Sequence, residues 1–526
     1  SSAFTWQNSN RSSFLIDTSR QMDFDSLLNN GISNSSSFSK GYNWSSNALL
    51  RHRFAKKGRT LSANLQFGLN DNTGGGDLYS INKYYQQNIP TSIDTIDQRY
   101  DQSGHGNNYG ASLVYTEPLS RTSLFEMHYN FYQGHTISDK KTFDADGAGK
   151  YTLANDQLTN DFANTYTYHR EGIQFRNQQK LFNFAVGATI QQTLNDNRFG
   201  YLTRDTTLHQ SFVNFLPNAN GTYNFNSYRN LSLRYNTSTN QPSTIQLAPV
   251  ADNSDPLNIR AGNPSLKQEY YHTLQLNYLS FDPFRHTSFF ANFNANAIHD
   301  KIVNDNEVDS FGVRTTRPVN LDGLYNMSGH LSWGFPFRAL KSKLNLNTRA
   351  SYDHNASLEN AVRNNGNTWT VSQQMNWSYS YKEILDVTGD VQVDYNDARY
   401  SLEPTQNQRY WTETYSLDFN WYGPHNFSIA SDLNYIRRTG LPPGYNSSPL
   451  VWNAGLAKKL LKYQRGTFRL QVFDILKQNT GFSRNTSQNY IDDISYRVIN
   501  RYWLLSFTYS LNRFPGGPKA DVKFIR

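Results

Sequence analysis

The chain of 526 residues contains no cysteine. Disulfides, thiolate metal ligands and cysteine nucleophiles are therefore excluded. No stretch approaches the ~20 apolar residues that a membrane helix needs. Charge is sparse: only 17 % of residues are Asp, Glu, Lys or Arg, and the net charge of +8 is scattered rather than gathered into a basic stripe. That distribution argues against a nucleic-acid partner. Hydrophobic residues make up just 37 %, little for a soluble chain of this length with a buried core. A signal peptide is also missing, since Ser1-Ser2-Ala3 leads directly into polar sequence, so a mature, processed or truncated N-terminus is expected.

Aromatic residues are abundant instead, at 15 % with 35 Tyr and 33 Phe, which excludes a disordered chain. Their placement is periodic. Trp369, Val371, Gln373, Met375, Trp377, Tyr379 and Tyr381 alternate with Thr370, Ser372, Gln374, Asn376, Ser378 and Ser380. After a turn at Lys382-Glu383 the alternation resumes, with Leu385, Val387, Val391, Val393 and Tyr395 against Asp386, Asp390, Gln392 and Asp394. Side chains alternate across a strand, so this hairpin has one apolar and one wet face.

The same pattern recurs along the chain. Leu61, Ala63, Leu65, Phe67 and Leu69 alternate with Ser62, Asn64, Gln66 and Gly68. Pairs of strands joined by short turns, such as Glu117-Pro118-Leu119-Ser120-Arg121 and Asp282-Pro283-Phe284-Arg285, alternate with long polar stretches read as loops. Two of these run from Asn8 to Gly41 and from Asn72 to Gly104. About twenty strands result, and no blade-like repeat is found. The predicted fold class is all-β: a large antiparallel transmembrane β-barrel of about 20–22 strands, with short periplasmic turns and long extracellular loops. Only a closed barrel gives strands in hydrocarbon their full hydrogen bonding. Leu61, Leu65, Val387, Val391 and Phe507 are expected to face lipid. Asn64, Asp390 and Thr508 should face the lumen, together with Asp386, Asp394, Arg234 and Asn292. Glu413 and His52 fall on apolar faces near strand ends, where a charge costs little.

His128 and His135 lie too far apart for a local metal pair. Asp386, Asp390 and Asp394 repeat every four residues, about 13 Å apart on a strand, too far for a carboxylate dyad. Asp300, Asp305, Glu307 and Asp309 resemble a calcium loop in composition but lack its glycine and terminal bidentate Glu; an exposed acidic loop is expected. Arg51, His52, Arg53, Lys56, Lys57 and Arg59 crowd a short turn and are expected to meet headgroups or periplasm. Gly74-Gly75-Gly76 lacks the Gly-Lys-Ser/Thr context of a phosphate loop and reads as loop flexibility. No catalytic residue, metal ligand or cofactor is expected, and the chain is not expected to be an enzyme. Substrate-binding residues are unassigned.

One segment carries a resemblance. Gln241-Pro242-Ser243-Thr244-Ile245-Gln246-Leu247-Ala248-Pro249, followed by Asp255-Pro256-Leu257-Asn258-Ile259-Arg260-Ala261-Gly262-Asn263-Pro264-Ser265-Leu266-Lys267-Gln268-Glu269, resembles a segment of TonB-dependent receptor barrels. Arg51 to Ser62, and Phe473-Asp474-Ile475-Leu476-Lys477-Gln478-Asn479, resemble the outer-membrane β-barrel family of Bacteroidota. The resemblance implies TonB-dependent import of a nutrient across the bacterial outer membrane. The partners it implies are outer-membrane lipid, a plug domain, TonB on the periplasmic side and a surface lipoprotein. Family barrels carry a plug and twenty-two strands. Residues 1–514 are therefore expected to be a barrel lacking its first strands and plug, with 515–526 as a periplasmic tail behind Phe514. A plugless passive channel or scaffold barrel is the first alternative. A soluble glycan-binding β protein is the second.

Overall fold

The computed structural model describes residues 1–510, except 22–25, 87, 156–157, 202–203, 248–257, 311–312, 403, 441–447, 462–463, 480–481, 487–490 and 496–498. The motif residues Ala248, Pro249 and Asp255 to Leu257, and Phe514 with the tail 515–526, lie outside the described residues.

Period-two alternation dominates the sequence, and strands dominate the fold. The strands form one sheet of 24 members. Twenty of them make a continuous wall, each paired antiparallel with the next. The first ten are Ser2–Gln21, Ser26–Arg53, Thr60–Gln86, Ile89–Pro118, Ser123–Ala145, Asn160–Gln178, Phe182–Tyr201, Arg204–Asn226, Arg229–Asn240 and Glu269–Asp282. The wall continues through Thr287–His299, Leu324–Phe337, Ser342–Glu359, Val362–Tyr381, Leu385–Tyr400, Gln408–Tyr422, Phe427–Thr439, Leu450–Leu460, Gly466–Phe473 and Tyr502–Tyr509. This is the expected transmembrane barrel. Its two margins, Ser2–Gln21 and Tyr502–Tyr509, each pair with one neighbour among the described residues. Between the long connections, a second hairpin of Lys301–Val308 and Arg314–Leu321 lies against the wall, and Phe482–Thr486 pairs with Ile491–Ser495 apart from it.

Register fixes the faces. Met375 lies opposite Val391 and Val391 opposite Tyr415, while Asn376 pairs with Asp390 and Ser372 with Asp394. Apolar rows thus run across neighbouring strands on one side and polar rows on the other. The apolar rows are exposed: Leu65 is 49 % and Phe507 51 % accessible. Among the described residues most of the deeply buried side chains are polar, such as Gln191, Thr193, Asn195 and Asn197. A soluble protein has the reverse arrangement. Here lipid is the solvent for the outer face.

Three expectations are corrected. Asn8 to Gly41 and Asn72 to Gly104 are not loops. Ser2–Gln21 pairs with Ser26–Arg53 as far as Gln21 opposite Ser26, and Thr60–Gln86 pairs with the 30-residue strand Ile89–Pro118 as far as Gln86 opposite Ile89. A membrane span needs only about ten residues, so these hairpins stand far above it. Their sequences lose apolar alternation where lipid ends, because water wets both faces there; the backbone ladder needs no such alternation and continues. Gly74, Gly75 and Gly76 belong to this ladder. A Cβ at Gly76 would meet the Ser36 carbonyl oxygen at 2.3 Å, and one at Gly74 the Phe38 oxygen at 2.5 Å, so glycine serves close backbone approach, not flexibility. Finally, Asp300 to Asp309 is largely strand: Lys301–Val308 is one arm of the second hairpin.

The expected Lys382-Glu383 turn is present, with both residues at positive φ (45° and 57°) and the Ile384 N–H donating to the Tyr381 carbonyl. Two such residues give the twist that suits a tight hairpin.

Candidate functional site

The inner face of the wall is a field of amides, hydroxyls and a few charges. Asp386, Asp390 and Asp394 lie on it, each satisfied by a neutral donor. Ser380 Oγ donates to Asp386, Gln374 Nε2 to Asp390 at 2.9 Å, and Gln392 Nε2 to both oxygens of Asp394. They are wall residues held apart by the strand, as the spacing implied. Asn292 donates to Asn277 at 2.6 Å, and Asn296 to Asn326 at 2.9 Å. Such amide pairs satisfy polar atoms along the wall.

Arg234 stands between Asn220 and Gln275 on this face. With Asn218, Asn236 and Thr273 they line an open concavity of about 370 Å³. A guanidinium among amides is equipped to hold carboxylate, phosphate or hydroxyl-rich groups.

The expected metal and acid candidates are dispersed. His128 and His135 point to opposite faces of Ser123–Ala145, reaching Thr189 and Thr165 respectively. Asp305 accepts the Ala361 N–H, and Asp309 the Val313 N–H. Among the described residues no group of three or more His, Asp or Glu is arranged to hold a metal. Of the basic run, Arg59 and Lys56 converge on Glu117 at the neighbouring short turn, Arg59 Nε donating at 2.7 Å.

The segment Gln241 to Glu269 is the most constructed part of the molecule. It links the upper ends of Arg229–Asn240 and Glu269–Asp282, and its described residues, 241–247 and 258–269, fold inward over the strands Asn160–Gln178 to Arg204–Asn226. Leu247 and Leu266, 0 % and 1 % accessible, close on Phe162 and Phe199, with Leu208 and Ile302 packed alongside. Beneath lies the polar row of Phe182–Tyr201. Gln191 accepts from Arg170 and donates to Thr193 and Thr239, while Asn164 donates to both Asn195 and Asn197. Gln210 Nε2 reaches the Leu266 carbonyl at 2.8 Å.

The motif residues have separate tasks. Asn263 accepts the Ser265 N–H at 3.0 Å and donates to the Pro318 carbonyl at 2.9 Å, fastening the turn to the second hairpin. Ala261 N–H donates to Thr316, and Lys267 N–H to Asn320 Oδ1. Glu269, 5 % accessible, accepts Asn240 Nδ2, the Tyr271 hydroxyl and the Ile302 N–H at 2.7–2.9 Å. One carboxylate thus ties two wall strands to the second hairpin. Sequence reasoning marked this stretch by resemblance but assigned none of these contacts. The available signal was Leu247 and Leu266 standing alone in polar surroundings.

Sequence comparison gives the same assignment as the geometry. The profile of the outer membrane protein beta-barrel family matches residues 52–382 and 358–509. The chain belongs to that family. Its place is the bacterial outer membrane. Among curated proteins none matches. Solved structures similar to this family barrel include the FrpB iron transporter of Neisseria meningitidis, at 10 % identity, covering 97 % of this chain and 80 % of that one with a TM-score of 0.37. The YddB outer membrane transporter of Escherichia coli is similar at 10 % identity, 95 % and 75 % coverage and a TM-score of 0.39. The ferric yersiniabactin uptake receptor FyuA of Yersinia pestis is similar at 8 % identity, 96 % and 79 % coverage and a TM-score of 0.39.

Proposed function

We propose that this chain is the wall of a TonB-dependent importer that brings a nutrient across the outer membrane. The observation that carries the reading is the wall itself: twenty consecutive strands with a polar inner face. Eight strands leave an interior that side chains can fill, but twenty enclose a lumen far too wide for that. Left open, such a lumen would leak. The described residues of the inward segment, 241–247 and 258–269, cover only one sector of it. A globular plug, from this protein or another chain, fills the rest, and TonB acts on the plug from the periplasm. The resemblance of Gly262-Asn263-Pro264-Ser265-Leu266-Lys267 to TonB-dependent receptors supports the same reading. Residues 1–514 then form the barrel and 515–526 a periplasmic tail.

The margins fit this picture. Ser2–Gln21 ascends from the short-turn end and Tyr502–Tyr509 descends toward it, so antiparallel closure takes direct pairing or an even number of further strands. A surface lipoprotein seated on the tall hairpins completes the assembly.

Conductance in planar bilayers tests the proposal. This chain alone should form large, weakly selective pores, and the native protein should be nearly silent. Free conduction by the native form favours a passive channel. A closed native form whose uptake survives loss of TonB favours a scaffold role instead.

A further inference from the structure

The outward face carries a cluster that transport does not use. On Leu385–Tyr400 the outward residues from the short turn are Leu385, Val387, Val391, Val393 and Tyr395, and then Asp397 and Arg399. On Gln408–Tyr422 they are Trp421, Phe419, Leu417, Tyr415 and Glu413, followed by Trp411 and Arg409. Leu385 and Tyr395 are about 33 Å apart along the strand, which at a usual tilt spans about 25 Å of membrane height. On Leu385–Tyr400 the change from aliphatic to aromatic to charged residues marks the outer-leaflet border; on Gln408–Tyr422 Glu413, opposite Val393, lies just inside it and is paired with Arg437.

An aromatic belt runs along that border. Ring centroids of Tyr325 and Tyr352 lie 5.9 Å apart, those of Tyr352 and Trp369 4.6 Å, and those of Tyr395 and Trp411 4.7 Å. Directly above it Arg399 donates through Nε and Nη2 to the two oxygens of Asp397, both at 3.0 Å, and Arg409 Nη2 reaches the same carboxylate at 3.3 Å. Two guanidinium groups thus share one carboxylate. Asp397 is 11 % accessible, whereas the arginines are 62 % and 63 % accessible. Arg437, opposite Glu413 and 3.7 Å from it, stands two outward positions below the Asp397–Arg409 row. On Thr60–Gln86 and Ile89–Pro118 the outward pair just above the apolar rows is Asp71 with His105, with no arginine between them. The cationic excess is local.

We propose that Arg399 and Arg409, above the belt of Trp369, Tyr395 and Trp411, bind the phosphorylated sugar headgroup of an outer-leaflet glycolipid. The charge and the geometry fit: a guanidinium fork matches phosphate oxygens, and the surplus positive charge faces the leaflet, not the lumen. Asp397 orients both forks and leaves the remaining donors outward. The aromatic rings sit at headgroup level, where sugar meets acyl chain, and the apolar rows below receive the chains. The site is on the outer surface, so it stands whether or not the lumen imports anything.

The test uses the full chain refolded in detergent, with bisphosphorylated lipid A, dephosphorylated lipid A and inorganic phosphate as probes. Thermal unfolding and lipid retention in native mass spectrometry are the readouts. Bisphosphorylated lipid A should raise the unfolding temperature and be retained about ten-fold or more better than the dephosphorylated form, as charge-assisted contacts of this kind imply. The double variant Arg399→Gln/Arg409→Gln should lose that preference, and Arg399→Lys/Arg409→Lys should keep part of it. The double variant Arg285→Gln/Arg338→Gln, which removes as much charge at the opposite end, should behave as wild type. Heat-modifiable electrophoretic mobility verifies that each variant is folded. Equal retention by the Gln variant, equal retention of the two lipids, or the same thermal shift from inorganic phosphate alone overturns the proposal.

Discussion

Val391→Arg is the sharpest test of which face meets lipid. Val391 points outward between Met375 and Tyr415, a little beyond midway between Leu385 at the short turn and Tyr395 at the aromatic border. An arginine there has hydrocarbon on the outside, and the outward carboxylate diagonally across, Glu413, is already paired with Arg437. Its expected cost is ~2–4 kcal/mol near the midplane, which shifts the folding equilibrium by about 30-fold or more. The adjacent Gln392→Arg is the internal control. Gln392 points inward and donates to Asp394 at 2.9 Å and 3.0 Å, with Asp390 two residues away on the same face. A guanidinium there is wet and finds a carboxylate, so the change should be close to neutral. Urea titration of protein refolded into lipid vesicles measures both. Equal destabilisation by the two variants refutes the facial assignment, and a larger loss from Gln392→Arg inverts it.

Truncating the inward segment should act locally. Leu266→Ala removes a fully buried side chain from the cluster with Phe162, Phe199 and Leu247, a change that costs roughly 2–4 kcal/mol in a packed site. Deuterium uptake should rise in residues 258–268 while strands Val362–Tyr381 and Leu385–Tyr400 stay protected; uniform exposure of the barrel would contradict a local role. Glu269→Gln keeps the shape but weakens the acceptor for Asn240, Tyr271 and Ile302, so the second hairpin should become more sensitive to protease. Asp146, outside the membrane, is held below the usual carboxylate range by the Lys150 N–H, then the Thr152 hydroxyl and the Ala148 N–H. A folded pKa below the unfolded one stabilises the loop above the ordinary aspartate range, and the stabilisation is lost as pH falls through the folded value. Amide resonances of Ala148 and Lys150 should therefore titrate with a midpoint below that of a free aspartate; a midpoint at or above it would show that these bonds do not form.

Alternation alone was enough to specify class, faces and approximate strand count. Lipid on one side and a wet lumen on the other force every second residue to be apolar, so Trp369 to Tyr395 carries its own assignment, and pairing Met375 with Val391 merely completes the rows. Other features were not legible. The tall hairpins of Asn8 to Gly41 and Asn72 to Gly104 carry no alternation because water reaches both faces; their strand character comes from backbone ladders with a neighbour, a property of the pair. Glu269 could not be assigned its contacts from sequence, since Asn240 and Ile302 reach it only after two connections fold inward. Asp397 and its two arginines look unremarkable in sequence, because Arg409 is carried to that carboxylate by the register of the adjoining strand. One-dimensional pattern records which solvent each residue meets. Which residues meet each other depends on strand register and loop closure, and those arise only when distant segments pair in the folded chain.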